Sequence, residues 1–381
     1  MKICILTQPL HTNYGGLLQA YALQRVIREM GHEVWTEDRR ENSYSPLRRI
    51  VRSDIIRSLL GLTRYLTPTE KSEIGKYTDL FISKNITTTT AINSTNKQAL
   101  EPYQFEGYIV GSDQVWRKDY SLGIENYFLD FASENSLKIA YGASFGISEW
   151  EYNASQTRRL SALAQRFNLI SVRESDGIKL CREHLHVDAK IVLDPTMLLL
   201  RDDYEALAKD TMGVNTPQGG LTCYLLDKRD AKQKIVETIA NNRSLAIADI
   251  SPANSQNTHD GRPVSERVVA PVGVWLAGLI NSEFIITDSF HGALFAILFN
   301  KPFIVITNEE RGASRFKTLL SHFDLEERLI NIETFNLDLL NSSINFEQVN
   351  KKLEELRRDS LSLLRDSLSS AIAQPHIQKD I

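Results

Sequence analysis

Short apolar segments that end in polar or small residues recur along this chain, and one stretch shows the pattern in its fullest form. Phe284–Thr287 is a short apolar run, which predicts a buried strand. Asp288–Gly292 is a polar turn, Ala293–Phe299 has helical character, and Phe303–Thr307 predicts a second strand. A strand–turn–helix–strand unit is the building block of a parallel sheet. Ligands of such sheets bind at the carboxyl ends of strands, beside helix N-termini, so this turn is the first candidate for a functional site.

The same alternation opens the chain. Lys2–Leu6 predicts a strand, Gly15–Met30 a helix that ends at Gly31, and Val34–Thr36 a second strand. This βαβ unit lacks the Gly-x-Gly-x-x-Gly phosphate-binding sequence, and Asn13–Gly16 takes its place. The fold class is therefore α/β, with a binding rim along one edge of a sheet. Further strands that end in polar or small clusters are predicted at Tyr108–Val110, Ile139–Ala143, Leu169–Val172, Lys190–Leu193, Leu221–Leu226 and Leu245–Ile250.

The length of 381 residues fits two domains better than one core. Pro195, Pro217 and Gly219-Gly220 interrupt the alternation, which places the domain junction there. Rim loops from both domains would then face a common cleft. The predicted units are an N-terminal domain at 1–195, a linker region at 196–220, a C-terminal domain at 221–345, and a long C-terminal helix with a tail at 346–381.

Composition narrows the class of protein. Apolar residues make up 42% of the chain and charged residues 24%, which is typical of a soluble globular protein. The net charge of −4 offers no basic excess, so no nucleic-acid partner is expected. Cys4, Cys181 and Cys223 fit neither a metal-binding spacing nor a disulfide framework, which favours a reducing cytoplasm. The sequence contains no apolar run of about 18 residues, so no transmembrane helix is expected.

Residues 41–70 interleave arginines with apolar residues. This pattern suits a basic amphipathic helix that makes a peripheral contact with a membrane surface or an anionic lipid-linked substrate. A helix packed on its domain with the arginines in water is the commoner arrangement and is favoured over the membrane contact.

His291 is the histidine that lies at a predicted strand-to-helix turn. Its imidazole titrates near neutral pH and can act as acid and base. A helix N-terminus would lower its pKa, and Asp288 or an anionic ligand would oppose that shift. A histidine that caps or packs against the helix start is the alternative. Ser289 does not face His291 on a helix, so Ser289 or Asp288 is interpreted as the N-cap.

Two arginines at predicted loops suit contacts with a carboxylate or phosphate, namely Arg173 and Arg311. Arg173 stands in Arg-Glu-Ser-Asp, where a surface ion pair is an equal alternative. Asp113 either accepts hydrogen bonds from sugar hydroxyls or caps a helix. The sequence carries no P-loop and no His-Glu-x-x-His motif, so no metal is expected.

Three segments in order carry a family resemblance: Asn13–Leu23 (NYGGLLQAYAL), Gly111–Trp116 (GSDQVW) and Thr287–Gly292 (TDSFHG). Over roughly residues 1–330 the chain resembles the polysaccharide pyruvyl transferase family. The resemblance implies a GT-B-like fold of two Rossmann-like domains. It also implies transfer of pyruvate from phosphoenolpyruvate to two hydroxyls of a glycan sugar, which forms a cyclic ketal and releases phosphate.

The resemblance also implies residue roles. His291 would be the general acid/base, and Arg173 the arginine that binds phosphoenolpyruvate. Arg311 lies twenty residues after His291, where the family places a basic residue, often lysine, against the donor. Phosphoenolpyruvate would be a co-substrate and no cofactor is expected. The other residues expected to contact substrates are Asn13, Gly15, Gly16, Gln19, Ser112, Asp113, Gln114, Ser144, Asp288, Ser289 and Gly292.

The expected partners are phosphoenolpyruvate, on the side of the second domain, and an oligosaccharide or lipid-linked glycan acceptor along the rim of the first. The expected location is the cytoplasm, at or near the inner membrane surface. A nucleotide-sugar glycosyltransferase of the same fold is one alternative, with Glu309 or Glu310 available to hold a ribose. A non-catalytic carbohydrate-binding protein is another, and it predicts that His291→Ala leaves function intact.

Overall fold

The structure is a computed structural model, and it describes residues 1–40, 65–93, 97–121, 123–227, 229–252, 261–307, 313–340 and 342–372. The predictions for Arg311, for Glu309 and Glu310, and for residues 41–64 fall outside these ranges. The end of the predicted basic segment is described. There Thr67 forms a capping box with Glu70 at the start of a helix.

The first half of the chain builds a parallel sheet. The strands of this half are β1 (Lys2–Leu6), β2 (Glu33–Thr36), β3 (Arg39–Arg40), β4 (Ile92–Asn93), β5 (Gly107–Val110), β6 (Leu137–Ala143), β7 (Leu169–Val172) and β8 (Lys190–Ile191). Within the described ranges six of them pair in parallel in the order β2–β1–β5–β6–β7–β8, and β3 pairs with β4 separately. The helices are α1 (Tyr14–Glu29), α2 (Pro68–Asn85), α3 (Ala154–Ala164), α4 (Ser175–Leu180) and α5 (Arg201–Ala208).

The second half repeats this plan. Its strands are β9 (Leu221–Tyr224), β10 (Ile247–Asp249), β11 (Phe284–Thr287), β12 (Phe303–Ile306) and β13 (Leu329–Ile330). In the described part of this half, these five pair in parallel in the order β10–β9–β11–β12–β13. The helices are α6 (Asp230–Arg243), α7 (Val272–Ile280), α8 (Phe290–Leu298), α9 (Ser314–Ser321) and α10 (Phe346–Ile372).

This topology confirms the predicted fold of two Rossmann-like α/β domains followed by a long C-terminal helix. The inner strands β5, β6, β9, β11 and β12 are buried on both faces, as parallel sheets covered by helices require. One apolar cluster lies on the outer side of each sheet, and a third runs continuously between the domains. Residues 196–220, predicted as a linker, contain α5, and Tyr204 of this helix packs edge-on against Phe295 of α8.

The domain interface is closed by specific contacts. Tyr14 at the start of α1 stacks on Trp275 of α7, with ring centroids 5.1 Å apart. Its hydroxyl donates a hydrogen bond of 2.8 Å to the carbonyl of Ala270. Helix α10 returns to the first domain, where Leu364 and Leu368 are buried. Apolar burial of this kind is the main force that holds the two domains together.

Among the helices that the structure describes, none combines the length and the apolar character that crossing a membrane requires.

Candidate active site between the two domains

Loops at the carboxyl ends of strands from both sheets meet at one place between the domains. Arg173 follows β7, Asp194 comes shortly after β8, and Asp113 lies in the loop after β5. His291 lies beyond β11 in the first turn of α8, and Arg315 lies in the first turn of α9. All five residues are buried. The candidate site is therefore assembled from both domains, at the rim where α/β folds bind ligands.

The turn before His291 is fixed by short-range hydrogen bonds. Ser289 is the N-cap of α8, as predicted, and its hydroxyl accepts from the backbone N–H of Gly292 at 3.5 Å. The hydroxyl of Thr287 accepts from the N–H of Ser289 at 3.0 Å. A Cβ atom at Gly292 would lie 2.3 Å from the Thr287 hydroxyl oxygen, so only glycine fits there. This packing sets the direction in which α8 leaves the strand.

Asp288 holds this turn to the neighbouring loop. One carboxylate oxygen accepts from the N–H of Leu226 at 2.6 Å. The other accepts from the N–H of Asp227 at 3.1 Å and from the ammonium of Lys232 at 2.6 Å. The Asp288 side chain is fully buried. In this structure its carboxylate binds the protein, and the carboxylates that act on His291 come from the first domain instead.

His291 is enclosed by residues of the opposite domain. A Cβ atom at Gly15 would lie 2.1 Å from the Nδ1 atom of His291, so the imidazole packs directly on the backbone of α1. On its other nitrogen, Nε2 lies 3.8 Å from a carboxylate oxygen of Asp194. Among the described residues, Nε2 has no hydrogen-bond partner. A buried nitrogen of this kind is available to a reacting group that enters the site.

Burial lowers the pKa of His291 below its ordinary value, and Asp194 opposes the shift without cancelling it. The nearby charge of Arg173 lowers the pKa further. The sequence predicted this direction from the helix N-terminus, whereas burial is the largest cause in the structure. His291 is therefore mainly neutral near pH 7, as a general base must be.

Arg173 is held by two carboxylates in a buried network. Its Nη1 atom donates to Asp194 at 2.7 Å, and its Nη2 atom donates to Asp113 at 2.9 Å. Its guanidinium group lies over the ring of Phe290, 4.5 Å from the ring centroid. The alternative of a surface ion pair is wrong, because the Arg173 side chain is only 1% exposed. The helix-capping alternative for Asp113 is not seen either, since its carboxylate binds Arg173.

The charged groups of this network shift one another's pKa values in the direction that favours their ionised forms. Burial alone would raise the pKa of Asp194, but the positive charges of His291, when protonated, and of Arg173 outweigh it and hold the pKa low. For Asp113, too, the charge of Arg173 overcomes the effect of burial and lowers the pKa. Burial would lower the pKa of Arg173, and its carboxylate neighbours instead raise it. Both aspartates are therefore ionised at neutral pH.

Arg315 is a second buried arginine, which the sequence analysis missed. It lies on the ring of Phe290 as well, 5.8 Å from the ring centroid. Burial and the charge of Arg173 lower its pKa to about 10, so it stays protonated at neutral pH. The signal was present in the sequence, because Arg315 begins a helix after a buried strand. The family resemblance predicted Arg311, four positions earlier, as the basic residue against the donor.

Glu174 is a further buried charged group at the candidate site. One carboxylate oxygen accepts from the N–H groups of Phe145 and Gly146, at 2.8 and 3.3 Å. Burial raises the pKa of this carboxyl group above its ordinary value. Glu174 directly follows Arg173 in the sequence, and the motifs predicted no role for it. Its position next to two arginines makes it part of the site.

Gln19 forms hydrogen bonds within the first domain that hold the loop of Ser112 in place. Its amide nitrogen donates to the hydroxyl of Thr7 and the carbonyl of Gly16, and its amide oxygen accepts from the N–H of Ser112. The hydroxyl of Ser112 lies 2.9 Å from the carbonyl oxygen of Gly142 and 3.2 Å from a carboxylate oxygen of Asp194, and its single hydrogen can be donated to either. Gln19 is fully buried. These contacts make Gln19 and Ser112 a scaffold for Asp194.

The remaining predicted substrate contacts differ in exposure. Asn13 lies exposed at the N-cap of α1, and Gly16 beside it is partly exposed. Ser144 is completely buried, whereas Gln114 is 8% exposed. The Nε2 atom of Gln114 has no hydrogen-bond partner among the residues that the structure describes. Contact of these residues with a substrate stays a prediction.

The arrangement offers acid/base and anion-binding chemistry. A neutral imidazole next to an ionised aspartate can accept a proton, because the carboxylate stabilises the imidazolium that forms. Two buried arginines supply the positive charge that a carboxylate or phosphate needs. Within the described ranges, no group of three His, Cys, Asp or Glu side chains is placed to hold a metal ion.

Comparison with known proteins supports the resemblance of the three motifs. The sequence model of the family described as polysaccharide pyruvyl transferase matches residues 13–310. Among curated proteins, none matches the chain. Among solved structures, the chain is similar to UDP-GlcNAc 2-epimerase from Neisseria meningitidis bound to UDP-GlcNAc, with 11% identity, a TM-score of 0.49, and coverage of 97% of this chain and 100% of that one. It is also similar to alpha-glucosyltransferase (AGT) in complex with UDP, with 11% identity, a TM-score of 0.43, and coverage of 98% and 96%. At these values the structural similarities carry no information about substrate.

Proposed function

This chain belongs to the polysaccharide pyruvyl transferase family, and we propose that it transfers pyruvate from phosphoenolpyruvate to two hydroxyl groups of a glycan sugar. The products are a cyclic pyruvate ketal and phosphate. One observation carries the proposal: the buried Nε2 atom of His291 lies 3.8 Å from Asp194, between two domains that also bring Arg173 and Arg315 together.

The negative charges of phosphoenolpyruvate account for the two buried arginines at the site. Phosphoenolpyruvate carries a carboxylate and a phosphate, and both groups suit arginine. Arg315 and Arg173 lie on the ring of Phe290, so their positive charges act on the same small volume. Asp113 and Asp194 bind the terminal nitrogens of Arg173, and we infer that Arg315 shares the donor charge with Arg173. Arg173 contributes when one of its carboxylate contacts is exchanged for the donor.

His291 moves the protons in this proposal. The neutral imidazole takes the proton of an attacking sugar hydroxyl and delivers a proton to the methylene carbon of phosphoenolpyruvate. Protonation makes the adjacent carbon electron-poor, and the hydroxyl oxygen bonds to it. The bond from this carbon to the phosphate oxygen breaks, the second hydroxyl closes the ketal, and its proton leaves with phosphate. Asp194 stabilises the imidazolium between these steps.

Phosphate release tests the proposal. The protein is incubated with phosphoenolpyruvate and a panel of galactose-, mannose- and mannosamine-containing acceptors, and phosphate is measured over time. We expect release that depends on the acceptor, and loss of about 100-fold or more in the His291→Ala variant. His322→Ala is the matched control, because burial lowers the pKa of that histidine too and it lies after α9, away from the arginines. Release at background level for every acceptor would contradict the proposal.

Measurements on the same proteins distinguish two alternative functions. A nucleotide-sugar glycosyltransferase would bind a nucleoside diphosphate and would not bind phosphoenolpyruvate, which calorimetry distinguishes. A non-catalytic carbohydrate-binding protein would keep its function in His291→Ala. Since Glu309 and Glu310 lie outside the described residues, the structure adds nothing in favour of a ribose site.

A further inference from the structure

One aromatic side chain stands exposed near the candidate site. Four large apolar side chains are exposed among the described residues, and Tyr120, at 49%, is the aromatic one. The guanidinium group of Arg117 lies over its ring, 4.4 Å from the ring centroid. Cation–π contacts of this kind fix the orientation of a ring. Tyr120 therefore presents a positioned, solvent-accessible aromatic surface.

The loop that carries Tyr120 is held in place by the domain beneath it. The N–H groups of Tyr120 and Ser121 both donate to the carbonyl of Arg117, at 3.2 and 3.1 Å. The hydroxyl of Ser121 donates to the carbonyl of Val115 at 2.8 Å and accepts from the amide of Gln8 at 2.8 Å. These bonds leave little freedom to the backbone of the loop. A ring on such a support loses little entropy when it binds a ligand.

This loop leads from the buried charges to the surface. Asp113, which binds Arg173, begins the segment, and Tyr120 lies seven residues further along. The amide nitrogen of Gln8 joins the two ends of this segment, because it donates both to the carbonyl of Gln114, next to Asp113, at 2.9 Å and to the hydroxyl of Ser121, next to Tyr120, at 2.8 Å. Arg117, between them, has buried Nε and Nη1 atoms with no hydrogen-bond partner in the described part of the chain. The exposed ring thus stands at the surface end of the loop that begins with Asp113 of the candidate site.

We propose that Tyr120 binds a sugar ring of the glycan acceptor and that Arg117 positions the tyrosine ring for this contact. The inference rests on the proposed function and specifies the acceptor side of the same site. A pyranose presents an apolar C–H face, which packs well on an aromatic ring. Phosphoenolpyruvate has no such face and needs cations and N–H donors. A glycan, being large, must also enter from solvent, so its binding surface lies at the entrance.

Separate titration of the two substrates tests the assignment. In Tyr120→Ala we expect the KM for the acceptor to rise about tenfold, the loss of one aromatic contact, while the KM for phosphoenolpyruvate keeps its wild-type value. Tyr120→Phe should recover most of the lost affinity, because it keeps the ring. Arg117→Ala should raise the same KM by a smaller factor. A rise in the KM for phosphoenolpyruvate alone, or an unchanged acceptor KM, would overturn the inference.

Ile247→Ala is the control for loss of an exposed apolar side chain. Ile247 is 47% exposed and begins the edge strand β10, at the end of the sheet opposite the site, so this variant should match the wild type. A second measurement needs no turnover: saturation-transfer NMR with methyl glycosides of galactose, mannose and N-acetylmannosamine. Wild-type protein should show transfer to the ring protons of at least one glycoside, and Tyr120→Ala should lose it. Equal transfer in both proteins refutes the sugar contact, whereas absent phosphate release refutes the proposed reaction.

Discussion

Gly15 sets how closely the two domains approach His291, and Gly15→Ala tests this directly. The added Cβ atom would lie 2.1 Å from Nδ1 and 2.3 Å from Cγ of the imidazole. Since carbon atoms pack at about 3.5–4.0 Å, the ring or the whole domain must move by more than about 1 Å. Overpacking of this kind costs about 1–3 kcal/mol, and alanine in the helix returns up to about 1 kcal/mol. The free energy of unfolding should therefore fall by no more than about 3 kcal/mol.

Activity should fall much further than stability. A displacement of about 1 Å at a reacting group costs about 100-fold in rate, so we expect kcat for phosphate release to drop by about that factor. Gly75→Ala is the matched control, because a Cβ atom in that helix would meet its nearest neighbour at an ordinary 3.5 Å. Thermal unfolding and initial rates are measured for both variants. Gly15→Ala protein that keeps most of its wild-type kcat would refute the claim that this contact positions His291.

Three further changes probe other parts of the site. Asp194→Asn removes the carboxylate 3.8 Å from His291, so the pKa of His291 should fall further. Because the neutral base is the active form in the proposed reaction, the acid limb of the kcat/KM profile should move to lower pH. An acid limb at the wild-type position would contradict this. Arg315→Met should raise the KM for phosphoenolpyruvate about tenfold or more, the loss of one charged hydrogen bond, and an unchanged KM would exclude Arg315 from donor binding. Gln19→Ala should lower the free energy of unfolding, measured by urea titration, by about 2–3 kcal/mol, because three hydrogen bonds are lost and the buried N–H of Ser112 is left unpaired. An unchanged urea midpoint would show that these hydrogen bonds are dispensable for stability.

The sequence could predict the elements and the turn, because both depend on local patterns. Apolar runs that end in polar residues marked β7 and β11, and with them Arg173 and His291. Residue type predicted Ser289 or Asp288 as the N-cap, and the structure places Ser289 there. The family resemblance, carried by three short motifs, was confirmed by a match over residues 13–310.

The partners of these residues could not be predicted, because they lie far away along the chain. Asp194 and His291 are separated by 97 positions and meet only when the domains close. Asp288 pairs with Lys232 across 56 positions, and this contact turned a suspected partner of His291 into a support for the turn. A motif also fails to show whether a polar residue faces a ligand or the protein. Gln19 illustrates this limit, since its hydrogen bonds all go to the first domain.

The basicity of His291 depends on closure of the domain interface. Burial is the largest cause of its lowered pKa, and α1 and Asp194 of the opposite domain contribute to its surroundings. If the domains separated, water would reach the imidazole and its pKa would return towards the ordinary value of about 6.5. Closure would then do two things at once. It would favour the neutral form of His291 near neutral pH, and it would place beside the ring the carboxylate that stabilises the imidazolium in the proposed reaction. Domain separation and closure of this kind would couple entry of the substrates to formation of the base.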